Sequence, residues 1–337
     1  MNQNEYVKEI ISLGLKQKNA KHILLCGDKK YIQYVGVTLT SILLSNPEEI
    51  FTFHIFCDEV GNEDLEKLQK TAEKFKTEIN IHILNIEIIK QFSEDMAGND
   101  HISVAAYFRF IAFGALKGIA EKVLYLDSDI CVIDNKLTEF WKHDLKDKTA
   151  IVIGKPDGDN TQKRLHIQQA FNSGVIFVDV NKWNEQNLTP KCIKKACEKV
   201  WPFLDQDVLN MILDGKFISF EKRYNYEFSL SHFIDHVDKP SKVSFNRDDA
   251  TILHYIGASK PWHTWIQCCQ VTKLYIQAKA QSEWKDMPLI SPAEMKKHNY
   301  KYYHKAARVA KKEQQWTECL KNYFKYAVNK VKYKINV

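Results

Sequence analysis

Short apolar segments alternate with amphipathic segments along the first part of the chain. The apolar segments are short, and most of them lead into glycine or acidic residues, a pattern typical of buried strands. They cover residues 21–27, 51–57, 79–84 and 122–126. The amphipathic segments predict helices over 34–44, 64–76 and 104–116. Asn62 and Ser103 are the predicted N-caps of the second and third helices. Further short strands are expected at 150–154, 174–180, 217–220 and 251–254.

Strands that alternate with helices indicate an α/β fold with an open sheet of mostly parallel strands. In such sheets, ligands bind beyond the carboxyl ends of the strands. Gly27-Asp28, Asp58 and Asp127-Ser128-Asp129 each follow a predicted strand. We therefore expect these residues to lie near one rim of the sheet.

The composition is that of a globular protein. Of the 337 residues, 45% are hydrophobic and 27% are charged, which excludes extensive disorder. No apolar run approaches the length of a membrane-spanning helix, and the polar N-terminus lacks the apolar core of a secretion signal. None of the eight cysteines forms a CxxC pair, and several lie in apolar runs. This usage predicts reduced, buried thiols in a cytosolic protein.

From about residue 271 the pattern becomes helical. Trp316, Leu320, Phe324, Val328 and Val331 recur every three or four residues, with lysines between them. This spacing predicts an amphipathic helix. Its apolar stripe is suited either to packing on a neighbouring helix or to contact with lipid.

The C-terminal segment 296–337 is strongly basic. It contains twelve Lys or Arg and two Glu, whereas residues 1–295 contain 36 basic and 40 acidic residues. Eight Tyr, Trp and Phe residues are interleaved with these charges. Such a segment suits an anionic membrane surface, but it would also suit nucleic acid or a simple solvated helix face. The residues alone leave these three alternatives open.

The sequence VLYLDSD is the most informative local motif. An apolar strand leads directly into Asp127 and Asp129, which project to the same side if the backbone stays extended. Two neighbouring carboxylates repel each other unless a cation lies between them, and hard divalent cations such as Mg²⁺ or Mn²⁺ prefer oxygen ligands. A turn in which the aspartates cap backbone amides is the alternative.

A second motif, HYIGASKPW, begins at His254, directly after a short predicted strand. A neutral imidazole can complete a carboxylate metal site and favours Mn²⁺ over Ca²⁺. Gly257 allows a ligand to approach the backbone closely, and Lys260 can pair with a phosphate. A buried structural histidine followed by an ordinary loop is the alternative.

Two further polar clusters are candidates for substrate contacts. Asn172 and Ser173 stand at the start of a strand, where they could bind sugar hydroxyls. The sequence Asp205-Gln206-Asp207 opens a predicted helix, so these residues either cap it or place a carboxylate and an amide in a cleft. The chain contains no P-loop, GxGxxG, HExxH or GxSxG motif. Their absence argues against phosphate-loop kinases, dinucleotide enzymes, zinc proteases and α/β-hydrolases.

Taken together and in this order, the clusters resemble the retaining glycosyltransferases of the bacterial lipopolysaccharide galactosyltransferase and glucosyltransferase type, the eighth sequence family of glycosyltransferases. The resemblance spans residues 21–330. It is carried by ILLCGDKKY, FTFHIFCDE, HISVAAYFRF, KVLYLDSDICV, FNSGVIFVDVNKW, LDQDVLN and HYIGASKPW. It implies a GT-A fold, a Rossmann-like mixed sheet flanked by helices, with a small helical C-terminal region.

The resemblance also implies roles for individual residues. Asp127, Asp129 and His254 match the metal ligands, for Mn²⁺ or Mg²⁺. The other matches are donor-binding residues of a UDP-sugar site. They are Cys26, Gly27, Asp28 and Tyr31 for the nucleoside, Arg109 and Ser128 for the donor, Asn172, Ser173 and Gly174 for the donor sugar, and Gly257 and Lys260 for the diphosphate. Lys30 departs from the pattern, since it stands where an asparagine is expected.

Asp205 and Gln206 match residues beside the anomeric carbon. The implied reaction is transfer of glucose or galactose from UDP-glucose or UDP-galactose to a lipopolysaccharide core oligosaccharide. Retention of configuration leaves two routes, attack from the leaving-group face or a covalent intermediate. Gln206 is a poor nucleophile, whereas Asp205 and Asp207 carry better chemistry for the second route. The expectation favours the first route.

The implied organisation has three parts: a helical N-terminal extension over 1–20, the catalytic domain over 21–270 and a helical C-terminal domain over 271–337. The resemblance favours an anionic membrane surface, and no nucleic acid, as the partner of the C-terminal domain. It places the protein in the cytoplasm, peripherally on the inner face of the bacterial inner membrane. Two alternatives remain, a capsule or protein-glycan acceptor and a non-catalytic module that binds anionic surfaces.

Overall fold

The fold is taken from a computed structural model. It describes residues 5–90, 104–154, 160–235, 245–267, 269–295 and 298–335. Ser103, the expected cap of the third helix, lies outside these ranges. Among the described residues, no helix is both long enough and apolar enough to span a bilayer.

The strands within the described ranges form two sheets. They are β1 (Val7–Gly14), β2 (Lys21–Cys26), β3 (Phe51–Cys57), β4 (Glu78–Leu84), β5 (Lys122–Leu126), β6 (Ile130–Val132), β7 (Ala150–Gly154), β8 (Phe171–Asp179), β9 (Phe217–Ser219), β10 (Tyr226–Glu227) and β11 (Ile252–His254). The large sheet has the order β1-β4-β3-β2-β5-β8-β7-β9, and the small sheet has the order β10-β11-β6.

The α-helices of the described residues are distributed over both faces of the large sheet and the C-terminal region. They are α1 (Ile32–Ser45), α2 (Asn62–Phe75), α3 (Ile86–Ile89), α4 (Phe108–Ala115), α5 (Glu139–Lys142), α6 (Asn160–Leu165), α7 (Val180–Glu185), α8 (Leu188–Ala196), α9 (Leu204–Ile212), α10 (Leu230–Asp235), α11 (Thr272–Gln281), α12 (Asn299–Lys312) and α13 (Trp316–Ile335). A 3₁₀ turn, Val104–Tyr107, precedes α4.

The large sheet is mixed. Strands β4, β3, β2 and β5 are mutually parallel, as the alternating pattern predicts. Strand β8 then runs antiparallel to both β5 and β7. Antiparallel β8 brings its first residues, rather than its last, to the rim where β5 ends, and Asp127 N donates to Gly174 O over 2.9 Å.

The N-terminal segment corrects one expectation, because residues 7–14 form a strand and not a helix. Strand β1 pairs antiparallel with the edge of β4, which supplies its backbone hydrogen bonds. Ser12 Oγ also donates to Asn80 Oδ1 over 2.6 Å. β-Branched Val7, Ile10 and Ile11 favour this pleated arrangement.

The cap predicted for the second helix is also wrong. Gly61 is the N-cap residue of α2, and Asn62 is its first helical residue. Other boundaries agree closely, since the strands expected at 51–57, 122–126 and 150–154 are present with those limits.

Each face of the large sheet packs on its own helices. Helices α1, α2 and α11 lie on one face, and α4, α7, α8 and α9 lie on the other. Helix α1 is buried along most of its length. At Gly36 a Cβ atom would come within 2.0 Å of Trp284 Cζ3, so a glycine is needed for the segment after α11 to approach. Burial on both faces explains why the strands read as apolar runs.

A row of histidines crosses three adjacent parallel strands. His22 Nδ1 lies 2.9 Å from His54 Nε2, and His54 Nδ1 lies 3.1 Å from His82 Nε2. His82 stacks on Phe56 with ring centroids 4.3 Å apart. Burial lowers the pKa of His82 to about 4, and burial together with its two neighbours lowers the pKa of His54 well below its ordinary value. Burial also lowers the pKa of His22, against the opposing charge of Glu78.

We expect these histidines to make the protein less stable as the pH falls from 7.5 to 5.5. In the unfolded chain a histidine has a pKa of about 6.5, so it binds a proton as the pH falls below that value. Buried His54 and His82 stay neutral in the folded protein, so acid favours the unfolded state. Each should contribute roughly 1 kcal/mol to the loss of unfolding free energy at pH 5.5. Urea denaturation at both pH values measures this change.

His54→Gln should show a smaller loss between the two pH values than wild type. His143→Gln, which changes an exposed histidine outside the row, is the matched control and should behave as wild type. An unchanged pH dependence in His54→Gln would contradict the assignment.

Candidate active site

A cavity of about 500 Å³ opens at the carboxyl ends of β2 and β5. The first residues of β8, the first turn of α9 and the ends of β10 and β11 complete its walls. The residues that line it are Cys26, Gly27, Tyr31, Ala105, Ala106, Arg109, Tyr125, Asp127, Ser128, Asp129, Asn172, Ser173, Phe203, Asp205, Gln206, Glu227, His254, Ile256, Gly257 and Lys260. The rim expected from the strand order is therefore the location of the cavity.

Asp127, Asp129 and His254 converge on one point of this cavity. Each offers one ligand atom, and these atoms lie within 4.8 Å of one another. His254 Nε2 is 3.2 Å from Asp129 Oδ1 and 3.7 Å from Asp127 Oδ2. The small sheet creates this arrangement, because β11 pairs antiparallel with β6 and sets His254 opposite Ile130, next to Asp129.

The hydrogen bonds around His254 orient its ring for metal binding. Its Nδ1 lies 2.9 Å from Asn225 Oδ1, and Asn225 Nδ2 donates to Asn172 Oδ1 over 3.0 Å. Because an amide oxygen only accepts, Nδ1 carries the proton and Nε2 is left to face the carboxylates. A ligating histidine usually has its other ring nitrogen fixed in this way.

The donor set fits a hard divalent cation. Asp129 Oδ1 is buried and has no hydrogen-bond partner, although an unpaired buried carboxylate oxygen is costly. Two carboxylates and one imidazole are suited to Mn²⁺ or Mg²⁺. A Cβ atom on Gly174 would lie 2.3 Å from His254 Cε1 and 2.8 Å from Asp127 Oδ2. Only glycine leaves enough room for the three ligands to converge.

Lys260 supplies positive charge beside the same cluster. Its Nζ forms an ion pair with Asp129 Oδ2 and donates to Tyr255 O over 2.9 Å. Burial raises the pKa of Asp129, but Lys260 and His254 outweigh burial and hold it well below its ordinary value. Burial lowers the pKa of His254, but Asp129 and Asp127 outweigh burial and raise it. The Asp129 carboxylate is thus ionised and ready to bind a cation.

Arg109 connects the cluster to the opposite wall. Its Nη2 is 3.0 Å from Asp127 Oδ1, and its Nε is 3.3 Å from Asp205 Oδ2. Its Nη1 also donates to Ser173 O over 2.7 Å. Arg109 is only 5% exposed, so these contacts lie in a region of low dielectric. Tyr125 adds a 2.5 Å hydrogen bond from its hydroxyl to Asp127 Oδ1.

Asp205 and Gln206 are held in the cavity wall by the start of β8. Ser173 Oγ donates to Asp205 Oδ2 over 2.9 Å, and Asn172 Nδ2 donates to Gln206 Oε1 over 3.1 Å. Burial raises the pKa of Asp205 to about 6, with Asp127 raising it and Arg109 lowering it. Of the two alternatives expected for Asp205 and Gln206, the cleft is the one observed, because Phe203 is the N-cap residue and both side chains contact residues outside the helix.

Cys26, Gly27 and Tyr31, the residues expected to bind the nucleoside, line one part of the cavity. Burial raises the pKa of Tyr31 to about 12, and burial raises the pKa of the Cys26 thiol above its usual value. Both groups are therefore protonated at neutral pH and can donate hydrogen bonds. Within the described ranges, the cysteines are free thiols, and all but Cys197 are buried.

Asp28, Gly174 and Asp207 were predicted as site residues, but they do not line the cavity. Asp28 Oδ1 accepts hydrogen bonds from Lys30 N at 3.0 Å and Tyr31 N at 3.2 Å, which shapes the turn beneath the cavity. Gly174 lies behind the ligand cluster. Both oxygens of fully buried Asp207 accept from Arg164 at 2.7 Å, and Oδ2 also accepts from Phe203 N.

Six lining residues were not predicted as site residues: Ala105, Ala106, Tyr125, Phe203, Glu227 and Ile256. Ile256 lies inside the motif HYIGASKPW and the two alanines inside HISVAAYFRF, while Phe203 directly precedes LDQDVLN. Glu227 lies in an irregular segment, where no periodic pattern marked a strand. Tyr125 was recognised only as part of a strand, although it also reaches the cavity.

We expect the Arg164–Asp207 pair to stabilise the fold. Arg164→Met leaves a buried carboxylate without its cation and should lower the free energy of unfolding by about 3 kcal/mol. Asp207→Asn should cost less, because Arg164 is partly exposed and can reach water. Urea denaturation at pH 7 measures both, with exposed Asp144→Asn as the control. Wild-type stability of Asp207→Asn would contradict a structural role.

The sequence matches two family descriptions in succession. Residues 22–266 match Glycosyl transferase family 8, and residues 270–330 match Glycosyl transferase family 8 C-terminal.

Curated relatives agree with this match. The chain is 30% identical to the lipopolysaccharide glucosyltransferase WaaO of Escherichia coli strain K12 over 319 residues, 91% of this chain and 90% of the relative. It is 28% identical to the lipopolysaccharide 1,3-galactosyltransferase of Salmonella typhimurium, over 98% of this chain and 99% of the relative.

Solved structures show the same fold at lower identity. The galactosyltransferase LgtC, in complex with donor and acceptor sugar analogues, superimposes with a TM-score of 0.62 at 20% identity, over 77% of this chain and 96% of LgtC. The bifunctional glycosyltransferase WbbM gives a TM-score of 0.64 at 19% identity, over 81% of this chain and 52% of WbbM. The expected GT-A fold is confirmed, and the chain belongs to glycosyl transferase family 8.

Proposed function

We propose that this protein transfers glucose or galactose from a UDP-sugar to a hydroxyl of a lipopolysaccharide core oligosaccharide, with retention of configuration. The observation that carries this proposal is the convergence of Asp127, Asp129 and His254 in a cavity that Lys260 and Arg109 also line. The two lipopolysaccharide hexosyltransferases aligned above over at least nine-tenths of this chain support the acceptor class.

Asp127, Asp129 and His254 would hold the divalent cation, preferably Mn²⁺. When bound, the cation acts as a Lewis acid that neutralises charge on the departing diphosphate. Lys260, at the same edge of the cavity, adds a second positive charge for the leaving group. Gly257, with a φ of +84°, allows the adjoining backbone to approach the phosphates.

The remaining lining residues bind and orient the donor. Cys26, Gly27 and Tyr31 contact the nucleoside, while Asp28 fixes the turn that carries Tyr31. Arg109 and Ser128 bind near the donor sugar, and Asn172, Ser173, Asp205 and Gln206 form the surface on which it lies. Gly174 provides room for the metal ligands.

The environment of the candidate nucleophiles favours attack from the leaving-group face. Asp205 Oδ2 already contacts Arg109 and Ser173, and Gln206 is an uncharged amide. Asp207 is engaged by Arg164 outside the cavity. In this route the leaving phosphate accepts the proton of the attacking hydroxyl, and Asp205 and Gln206 stabilise the oxocarbenium-like centre.

We expect Mn²⁺-dependent release of UDP from one UDP-hexose, even with water as the only acceptor. The measurement uses a panel of UDP-sugars with Mn²⁺ or with EDTA. Asp129→Asn should reduce release at least about 100-fold, since it removes a charged metal ligand. Exposed Asp147→Asn is the matched control and should retain wild-type release.

Two results would contradict this function. Release that persists in EDTA and in Asp129→Asn would remove the role of the metal. No release from any donor, together with no thermal shift from UDP plus Mn²⁺, would favour a non-catalytic module. A third result, transfer to a capsule or protein glycan instead of a lipopolysaccharide core, would leave the donor reaction standing and change only the acceptor class.

We also propose that α13 attaches the protein peripherally to the cytoplasmic face of the inner membrane. Helix α13 packs on α12 through the side that carries buried Cys319, while Tyr300 of α12 contacts Tyr326 and Tyr333. An exposed apolar stripe lies elsewhere on its surface, formed by Trp316, Leu320, Phe324, Val331 and Ile335. Lys321, Lys325 and Lys332 are exposed beside this stripe. Such a surface suits anionic lipid headgroups.

We expect Leu320→Gln/Phe324→Gln to weaken binding to liposomes that contain anionic lipid by roughly tenfold or more, since each side chain contributes about 1.5–3 kcal/mol when buried. Hydrolysis of soluble donor should stay unchanged. Ile10→Gln/Leu15→Gln, which alters exposed apolar residues at the N-terminus, is the matched control. Co-sedimentation measures binding, and equal binding of both double variants would contradict the proposal. Removal of residues 296–337 is a less specific test of membrane binding, because it also removes Ala306, Ala307 and Val309, which are buried in the fold.

A further inference from the structure

Glu227 is a cavity residue without a role in the donor site described above. It is the second residue of β10 and pairs with His254 across the small sheet. It lines the cavity but is not one of the three converging metal ligands. Its half-buried carboxylate forms no hydrogen bond or ion pair with any residue in the described part of the chain.

The other carboxylates of the cavity are compensated by cations. Arg109 contacts Asp127 and Asp205, and Lys260 contacts Asp129. Both cations lining the cavity are thus engaged by other partners. Glu227 therefore offers two free acceptor oxygens to whatever enters the cavity beside it.

The backbone around Glu227 is fixed by hydrogen bonds. Phe228 N donates to His254 O over 2.8 Å, and Ile256 N donates to Phe228 O over 3.1 Å. These bonds tie the segment to the strand that carries the metal-ligand histidine. A carboxylate on such a rigid support is held ready for a ligand.

The chemistry of Glu227 excludes the diphosphate as its partner and favours a polyol. A diphosphate is anionic, and the cation held by Asp127, Asp129 and His254 together with Lys260 is its natural partner, whereas no cationic side chain among the described residues pairs with Glu227 to offset the repulsion. Sugar hydroxyls are good donors, and an ionised carboxylate accepts two of them in strong, charge-assisted bonds. The donor hexose already has polar partners on the wall formed by β8 and α9.

We propose that Glu227 binds hydroxyl groups of the acceptor sugar and determines acceptor specificity. This inference rests on the proposed transferase function, because it needs a second sugar in the cavity beside the donor. It extends that function by assigning the acceptor to the wall formed by β10.

The test compares wild type, Glu227→Gln and Glu227→Asp with a deacylated lipopolysaccharide core oligosaccharide as acceptor. Glu227→Gln keeps the shape of the side chain and removes its charge. Its KM for the acceptor should rise roughly tenfold or more, the effect of losing charge-assisted hydrogen bonds. Its KM for the donor and its Mn²⁺ midpoint should change less than about twofold. Glu227→Asp should recover part of the acceptor affinity.

Glu221→Gln is the matched control, since it makes the same change at an exposed position six residues earlier and should leave the acceptor KM unchanged. An acceptor KM in Glu227→Gln within twofold of wild type would overturn the inference. A parallel shift in donor KM or Mn²⁺ midpoint would also overturn it, because Glu227 would then act on the metal site.

Saturation-transfer NMR with the same oligosaccharide, in the presence of UDP and diamagnetic Mg²⁺, separates this inference from the proposed function. If wild type binds the oligosaccharide but releases no UDP from any UDP-hexose, and Glu227→Gln does not bind the oligosaccharide, the transferase function fails while the sugar site stands. If both proteins bind it equally, or neither binds it, the inference about Glu227 fails.

Discussion

The ion pairs of Arg109 with Asp127 and Asp205 connect three parts of the chain that are far apart in sequence. Arg109 belongs to α4, Asp127 follows β5, and Asp205 lies in the first turn of α9. Without the buried guanidinium, the two carboxylates would face each other at low dielectric and repel. The shape of the cavity depends on this one cation, because it fixes the metal-ligand side and the sugar side relative to each other.

The small sheet supplies the cavity residues that the large sheet lacks. Parallel strands β2 and β5 bring Cys26, Gly27 and Asp127 to one rim, but they supply neither an imidazole nor a second wall. Antiparallel pairing of β11 with β6 places His254 beside Asp129, and parallel pairing of β10 with β11 places Glu227 next to it. Glu227 and His254 lie 98 and 125 residues after Asp129 in the sequence, and both thus become part of the same site.

The sequence predicted the elements that have strong local patterns. Strands β3, β5 and β7 are buried on both faces, so their apolar runs were readable, and the acidic pair at Asp127 and Asp129 stood directly after one of them. Strand β1 was predicted as a helix because its stability comes from pairing with β4, which no local pattern records. Glu227 was missed for the same reason, since a two-residue strand has no periodicity. The function of Asp207 depends on Arg164, a partner 43 residues away that spacing alone does not reveal.

Gly174 is a position of this site that has no room for a side chain. The residue carries no functional group, yet any side chain there would push the imidazole of His254 away from the carboxylate of Asp127. Sequence change at this point would therefore disrupt cation binding whatever sugar is transferred. Asn172, by contrast, acts in the cavity wall through its side chain, which contacts Gln206, so a change in sugar preference is expected to come from such side chains around a fixed glycine.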